Sequence, residues 1–259
     1  MGVLNIGHRG AAGEAPENTM MSFDLALRRG ADGIELDVHL SSDGVPVVIH
    51  DPRLERTTSG GGPVSALPVS VLRRLDAGSW FNRRYPARAR HRYAGLKIPT
   101  LNEVLKWVHR HNCLAFIEIK QGGANYPRIE EKVLEEIYGT GAATLATVIS
   151  FSLPTLERVR QLDSRIALGL DFTRPVLAIR RACSIGAASL LPHWALATRG
   201  FIGRAHRGGF RVMAWDVNPP VLMRRKILDG VDGIITSHPA RLAEVLRKNP
   251  QITQISQMY

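Results

Sequence analysis

The chain has 259 residues, with 34 Lys and Arg against 23 Asp and Glu, for a formal charge of +11. Hydrophobic residues at 44% and charged residues at 22% exclude a disordered, coiled-coil or collagen-like chain. Two cysteines exclude a disulfide framework, and a chain this long buries enough surface as one large domain to need no staples. Cys113 and Cys183 each lie in an apolar stretch and read as buried, reduced thiols. No apolar run reaches the ~18 residues of a membrane span. The N-terminus, Gly2-Val3-Leu4-Asn5-Ile6, runs into a strand-like segment without a basic or apolar leader, so a cytoplasmic location is expected. Arginines cluster at Arg83-Arg84, Arg88, Arg90 and Arg92, at Arg180-Arg181 and at Arg224-Arg225-Lys226. They lack the interleaved aromatics of a single-strand stacking platform, and bulk solubility ranks ahead of a dedicated polyanion site.

In chain order, strands are predicted over Val3–His8, Gly33–Leu40, Pro46–His50, Leu114–Ile119, Thr147–Ser150, Ile166–Leu170, Ser189–Leu191, Phe210–Trp215 and Gly233–Thr236. Between them lie amphipathic segments at Thr19–Arg29, Leu101–His111, Arg128–Tyr138, Pro154–Leu162, Arg174–Ser184, Thr198–Gly208, Val221–Leu228 and Ala240–Lys248. Alternation on this scale predicts an α/β fold, a (β/α)8 barrel. Two features break the regularity. Nine strand candidates compete for eight staves, and Ser41–Val45 is too short for a parallel crossover, so the third strand is either a hairpin arm or a stave without its helix. The stretch from Pro52 to about Pro99 is rich in Gly, Pro and Arg, and would sit over the active-site face as an insertion within a single domain spanning 1–259. The polar tail Asn249–Tyr259 offers nothing assignable.

In Gly33-Ile34-Glu35-Leu36-Asp37-Val38, strand alternation puts Glu35 and Asp37 on one face, pointing into a barrel. Two carboxylates there are costly unless compensated, and oxygen ligands suit Ca²⁺ or Mg²⁺. Phe116-Ile117-Glu118-Ile119-Lys120 repeats the pattern with a third carboxylate and a cation at a strand's C-terminal end. His8 and His50 each close a strand, as a general acid and general base would, and Arg9 offers a planar fork for phosphate.

The ordered set His8-Arg9-Gly10, Pro16-Glu17-Asn18-Thr19, Glu35-x-Asp37, His50-Asp51 and Glu118-Ile119-Lys120 resembles the glycerophosphodiester phosphodiesterase family. The resemblance continues through Glu55–Gly60, Gly78–Phe81, Ile98–Leu101, Trp215–Asn218 and Asp232–Thr236. It implies a barrel with a small insertion after the third strand, and one divalent cation, Ca²⁺ or Mg²⁺, bound by Glu35, Asp37 and Glu118. It further implies His8 and His50 as the acid–base pair, Arg9 and Lys120 on the phosphoryl oxygens, and Glu17 and Trp215 at the rim. The expected reaction is metal-dependent cleavage of a glycerophosphodiester to glycerol 3-phosphate and an alcohol. Two positions depart from the pattern. Thr236-Ser237-His238-Pro239 replaces a Thr-Asp-x-Pro ending, and Trp215-Asp216-Val217-Asn218 replaces Trp-Thr-Val-Asn. They are expected to bear on the glycerol end and not to touch the acid–base pair.

The rivals are a lysophospholipase D-like or cyclising phospholipase of the same barrel type, and a non-catalytic anion-binding barrel. The first calls for exposed apolar side chains in the insertion, where Trp80, Phe81 and Tyr85 are the candidates. A small-molecule substrate is the expected partner; no nucleic-acid motif is present, and transient contact with a membrane surface stays open.

Overall fold

The computed structural model describes residues 2–120, 126–175 and 177–248. In chain order the elements are β1 (Leu4–Gly7), α1 (Met20–Arg28), β2 (Gly33–Leu40), β3 (Pro46–Val48), α2 (Val69–Leu72), α3 (Ser79–Arg84) and α4 (Leu101–His111). They continue with β4 (Leu114–Ile119), α5 (Ile129–Gly139), β5 (Ala146–Ser150), α6 (Leu153–Leu162), β6 (Ala167–Phe172) and α7 (Ala178–Ser184). The last are β7 (Ser189–Pro192), α8 (Arg199–Arg207), β8 (Arg211–Ala214), α9 (Pro220–Asp229), β9 (Gly233–Thr236) and α10 (Pro239–Lys248). Eight strands pair in parallel in the order β1-β9-β8-β7-β6-β5-β4-β2, and β1 pairs back to β2, which closes the α/β barrel. The tail Asn249–Tyr259 lies outside the described residues.

The surplus strand is a hairpin arm. β3 runs antiparallel to the far end of β2, with Val38 opposite Val48 and Leu40 opposite Pro46. Gly44 takes φ +75 in the turn, where a side chain would be strained. β2 therefore outreaches its neighbours, and the hairpin carries residues 49–51 back over the barrel mouth. Beyond β3 the chain builds a small core of its own from Ile49, Leu54, Val64, Leu72, Ala77 and Ile98 before entering α4.

Caps set the helix ends that position the loops. Thr19 Oγ1 accepts from the Ser22 N–H to start α1, and Thr100 with Glu103 forms a reciprocal capping box on α4. The outward residues of the strands pack on the helices, while the inward ones form a gradient. From positions three or four residues into their strands, Ile6, Phe116, Ile149, Leu191, Met213 and Ile235 fill the barrel as an apolar plug. Gly233 faces into it because any Cβ there would lie 2.2 Å from Met213 Cε. Further along, the barrel strands and the residues just after them carry His8, Asp37, Glu118, Lys120, Asp171 and Trp215.

Cys113 is buried, but Cys183 is exposed on α7, against the expectation that both thiols are buried. Burial also pushes the Cys113 thiol up to about 11. A thiol reagent at neutral pH is thus expected to label Cys183 in the native protein and Cys113 only after unfolding, which mass mapping of the labelled peptides checks.

Candidate active site

The C-terminal end of the barrel opens into a pocket of about 230 Å³. His8, Arg9, Glu35, His50, Glu118 and Lys120 line one side; Ile149, Phe151, Asp171, Trp215 and Ile235 line the other. Oxygens of Glu35, Asp37 and Glu118 all lie within 4.8 Å of one another, and all three residues are buried. Seven of the residues expected from the sequence therefore converge in one pocket, and Asp37 lies beside it, within 4.8 Å of the Glu35 and Glu118 oxygens.

The carboxylates are held from several sides. Asp37 Oδ2 accepts from Asn18 Nδ2 at 2.7 Å and lies 3.2 Å from Arg9 Nε, and its Oδ1 lies 3.0 Å from Lys120 Nζ. Lys120 also donates to Glu118 Oε2 at 2.6 Å, and the Arg9 backbone N–H donates to Glu35 Oε2 at 3.0 Å. Arg9 and Asn18 hold left-handed backbone angles, φ 51 and 55, so the loop after β1 stores strain where it presents Arg9. Burial pushes the Asp37 carboxyl up, but Arg9 and Lys120 outweigh it and hold the group well below its usual range. Burial and then the Asp37 charge push Glu35 well above its usual range, and they push Glu118 to about 7. Three carboxylates facing two cations are short of positive charge.

His50 lies two residues beyond β3, where Nδ1 meets Asp51 Oδ1 at 2.6 Å. Its carbonyl is held by His39 Nε2 at 2.9 Å, and His39 Nδ1 meets the Tyr126 hydroxyl at 2.8 Å. Burial, with Arg9 and Lys120 behind it, lowers the His50 ring below its usual value. Across the mouth His8 Nδ1 faces Ser237 Oγ at 3.3 Å and Asp216 Oδ2 at 3.6 Å, while its Nε2 is 3.9 Å from Glu35. Ser237 Oγ donates to Asp216 Oδ2 at 3.3 Å and Asn218 Nδ2 donates to it at 2.8 Å. The two departures from the family pattern thus meet on His8. That corrects the expectation that they leave the acid–base pair untouched: β8 and β9 are neighbours, so Asp216 and Ser237 converge on the ring.

Glu17 sits at the rim with both oxygens occupied. Oε1 accepts from Arg9 Nη1 at 2.9 Å and Arg56 Nη2 at 2.8 Å, and Oε2 from Arg56 Nη1 at 2.9 Å. Arg56 reaches on to Asp51, so the insertion ties the Arg9 and His50 supports together. Trp215 Nε1 donates to the Leu191 carbonyl at 2.7 Å, and the ring stands edge-on to Phe151 at 5.5 Å. It both caps the plug and walls the pocket.

Asp171 on β6 escaped sequence reasoning. It is 5% exposed, and its Oδ2 has no hydrogen-bond partner among the described residues. Burial, then the Glu118 charge, pushes it well above its usual range. The signal was an acid at the inward, C-terminal register of an otherwise apolar strand.

Residues 8–241 match the model of the glycerophosphoryl diester phosphodiesterase family. The chain is 36% identical to a glycerophosphodiester phosphodiesterase of Caldanaerobacter subterraneus subsp. tengcongensis, covering 96% of this chain and 99% of that one. It is 33% identical to one of Bacillus subtilis, over 92% of this chain and 84% of the relative. A crystal structure of a glycerophosphodiester phosphodiesterase from Agrobacterium tumefaciens superposes with a TM-score of 0.81 at 30% identity, covering 94% of this chain and all of that one. An Oleispira antarctica phosphodiesterase solved with its product sn-glycerol-3-phosphate superposes with a TM-score of 0.87 at 28% identity, covering 95% and 97% of the two chains. The barrel, the pocket at its C-terminal mouth and the match over nearly the whole length agree: the chain belongs to the glycerophosphoryl diester phosphodiesterase family.

Proposed function

We propose that this pocket cleaves a glycerophosphodiester to glycerol 3-phosphate and an alcohol, with His8 and His50 as its acid–base pair. The activity is that of the family, hydrolysis of phosphoric diesters. The observation that carries the mechanism is the meeting of two histidines, two cations and three buried carboxylates in one pocket. Product seen in the Oleispira antarctica relative supports the glycerol phosphate assignment.

The donor set fits a hard divalent cation, Ca²⁺ or Mg²⁺. It is all oxygen, it is buried, and Asp37 Oδ1 takes no hydrogen bond of good geometry. Glu35, Asp37 and Glu118 would hold it, and when bound it supplies positive charge against the phosphoryl oxygens. Arg9 and Lys120, fixed by their carboxylate partners, present their remaining N–H groups to the same oxygens. His50, neutral at pH 7 because its ring is lowered, is placed to take the proton of the nucleophile, and Asp51 fixes its tautomer. His8, oriented by Asp216 and Ser237, returns a proton to the leaving alkoxide. Glu17 acts through Arg9 as a positioning residue. Trp215 and Phe151 wall the organic arm of the substrate.

The test is release of glycerol 3-phosphate from glycerophosphocholine after chelator treatment and after adding back Mg²⁺ or Ca²⁺. Product is expected only with added metal. Equal turnover in chelator would remove the three carboxylates from metal binding, and no product under any condition would move the substrate to a lysophospholipid.

A further inference from the structure

Bulk solubility does not describe where the charge lies. Residues 52–99 hold ten of the 34 basic and two of the 23 acidic residues, so this stretch carries +8 of the +11 and the other 211 residues only +3. Three of its arginines, Arg88, Arg90 and Arg92, join Arg29 and Arg241 around a cleft of about 290 Å³. The loop after β1 serves both openings: Arg9 lines the active site, while Gly13 and Glu14 line the cleft.

The cleft is short of negative charge. Among the described residues Glu14 is its only carboxylate, and it is engaged by Arg29 at 3.0 Å. Arg88 Nη1 donates to the Gly13 carbonyl at 2.8 Å, Arg90 Nη1 donates to the Ala89 carbonyl at 2.7 Å, and Arg92 lies 5.9 Å over the Tyr93 ring. Those contacts aim the guanidiniums without neutralising them. Arg241 has no ion-pair partner among the described residues.

The framework around the cleft is fixed. Asn82 accepts from the Arg90 N–H and donates to the Arg90 carbonyl, both at 2.9 Å, and Tyr93 O–H donates to the Glu14 carbonyl at 2.9 Å. Gly13 has no room for a side chain, since a Cβ would lie 2.2 Å from the His238 ring. Fixed guanidinium forks around a concavity concentrate anions, and their planar geometry matches phosphoryl oxygens.

We propose that this cleft is a second phosphoryl-anion site, distinct from the catalytic pocket, that seats the headgroup of an anionic phospholipid and docks the active-site face on an anionic membrane surface. A planar surface is favoured because the positive charge continues past the cleft. Arg83, Arg84 and the exposed Tyr85 line an adjoining hollow, and Arg88 lies 5.5 Å over the Tyr85 ring. Attachment is electrostatic, because Phe81 is fully buried and Trp80 half-buried, leaving Tyr85 alone exposed among the aromatics expected to insert.

The test is co-sedimentation of the intact protein with phosphatidylcholine vesicles with and without phosphatidylglycerol. Binding is expected only with phosphatidylglycerol, and to vanish on going from about 0.1 to about 1 M salt, which shortens the screening length from ~10 to ~3 Å. The variant Arg88→Ala/Arg90→Ala/Arg92→Ala is expected to weaken it on the order of 10²-fold, about fivefold per arginine. Its hydrolysis of soluble glycerophosphocholine should match the parent. Arg90→Glu/Arg92→Glu keeps the Arg88–Gly13 contact and should show a comparable loss, so a poorly folded triple variant leaves the question decidable. Equal binding to both vesicle types, no binding, or undiminished binding by the double variant overturns the proposal. So does calorimetric binding of inorganic phosphate without vesicle binding, which marks a soluble-phosphate site, or displacement of vesicles by duplex DNA, which marks a nucleic-acid surface.

Discussion

His50→Ala is expected to lower kcat by about 10²–10⁴-fold, the span of a general acid–base group. KM for a soluble diester should change little, because Arg9 and Lys120 remain in place to bind the phosphate. Among the described residues the ring makes one side-chain hydrogen bond, to Asp51, and the backbone carbonyl that His39 grips survives the substitution, so the fold should persist. The pH profile carries the sharper information. Burial lowers the His50 ring below its usual range, so a His50 acting as the proposed base would stay neutral at pH 7, and activity is expected to fall only as pH drops through the lowered value. A bound divalent cation pushes in the same direction. The acidic limb of kcat should therefore lie below 6.5 in the parent and be absent from the residual activity of the variant. Near-normal turnover in His50→Ala removes His50 from the chemistry.

The second large effect is at Asp37, where charge balance and metal affinity are joined. Asp37→Ala deletes the carboxylate that faces both Arg9 and Lys120, leaving two mostly buried cations short of a partner. Breaking a buried pair in this way costs about 3–5 kcal/mol. At about 2–4 °C per kcal/mol for a chain of this size, Tm should fall by roughly 6–20 °C. Activity should fall by about 10³-fold or more, from a metal contribution of several kcal/mol. Titration calorimetry with Ca²⁺ and Mg²⁺ separates the two effects: the variant should have lost metal binding at temperatures where it is still folded. Parent-like metal affinity would leave Asp37 as a structural counter-ion only.

Much of this was legible in the strands. β2, β4 and β9 fall at the predicted residues because each alternates or runs apolar between clear breakers, and alternation alone turned Glu35, Asp37 and Glu118 to one side. β3 stayed ambiguous because a hairpin arm and a stave have the same local pattern. Only its antiparallel pairing with Val38–Leu40 decides between them. The contact of Asp216 and Ser237 with His8 is hidden from the sequence for a similar reason. They stand 21 residues apart, and their meeting on His8 depends on strand neighbours, which no local window contains. Asp171 was hidden because one acid in an apolar run looks like a strand end. The apolar flanks of Cys183 point to core, but α7 is a short helix that turns that residue outward.

The apolar plug has a kinetic meaning. Ile6, Phe116, Ile149, Leu191, Met213 and Ile235 close the barrel beneath the carboxylates, so the pocket is a blind well. On the proposed function, diester, alcohol and glycerol phosphate would all pass through the mouth that His8, His50 and Trp215 line. On the proposed mechanism the alcohol, held by little charge, would depart first, and glycerol phosphate, facing Arg9 and Lys120, last. The next diester would need those same two residues, so its entry would wait on that departure, and turnover in such a well would be a matter of traffic as much as of bond cleavage.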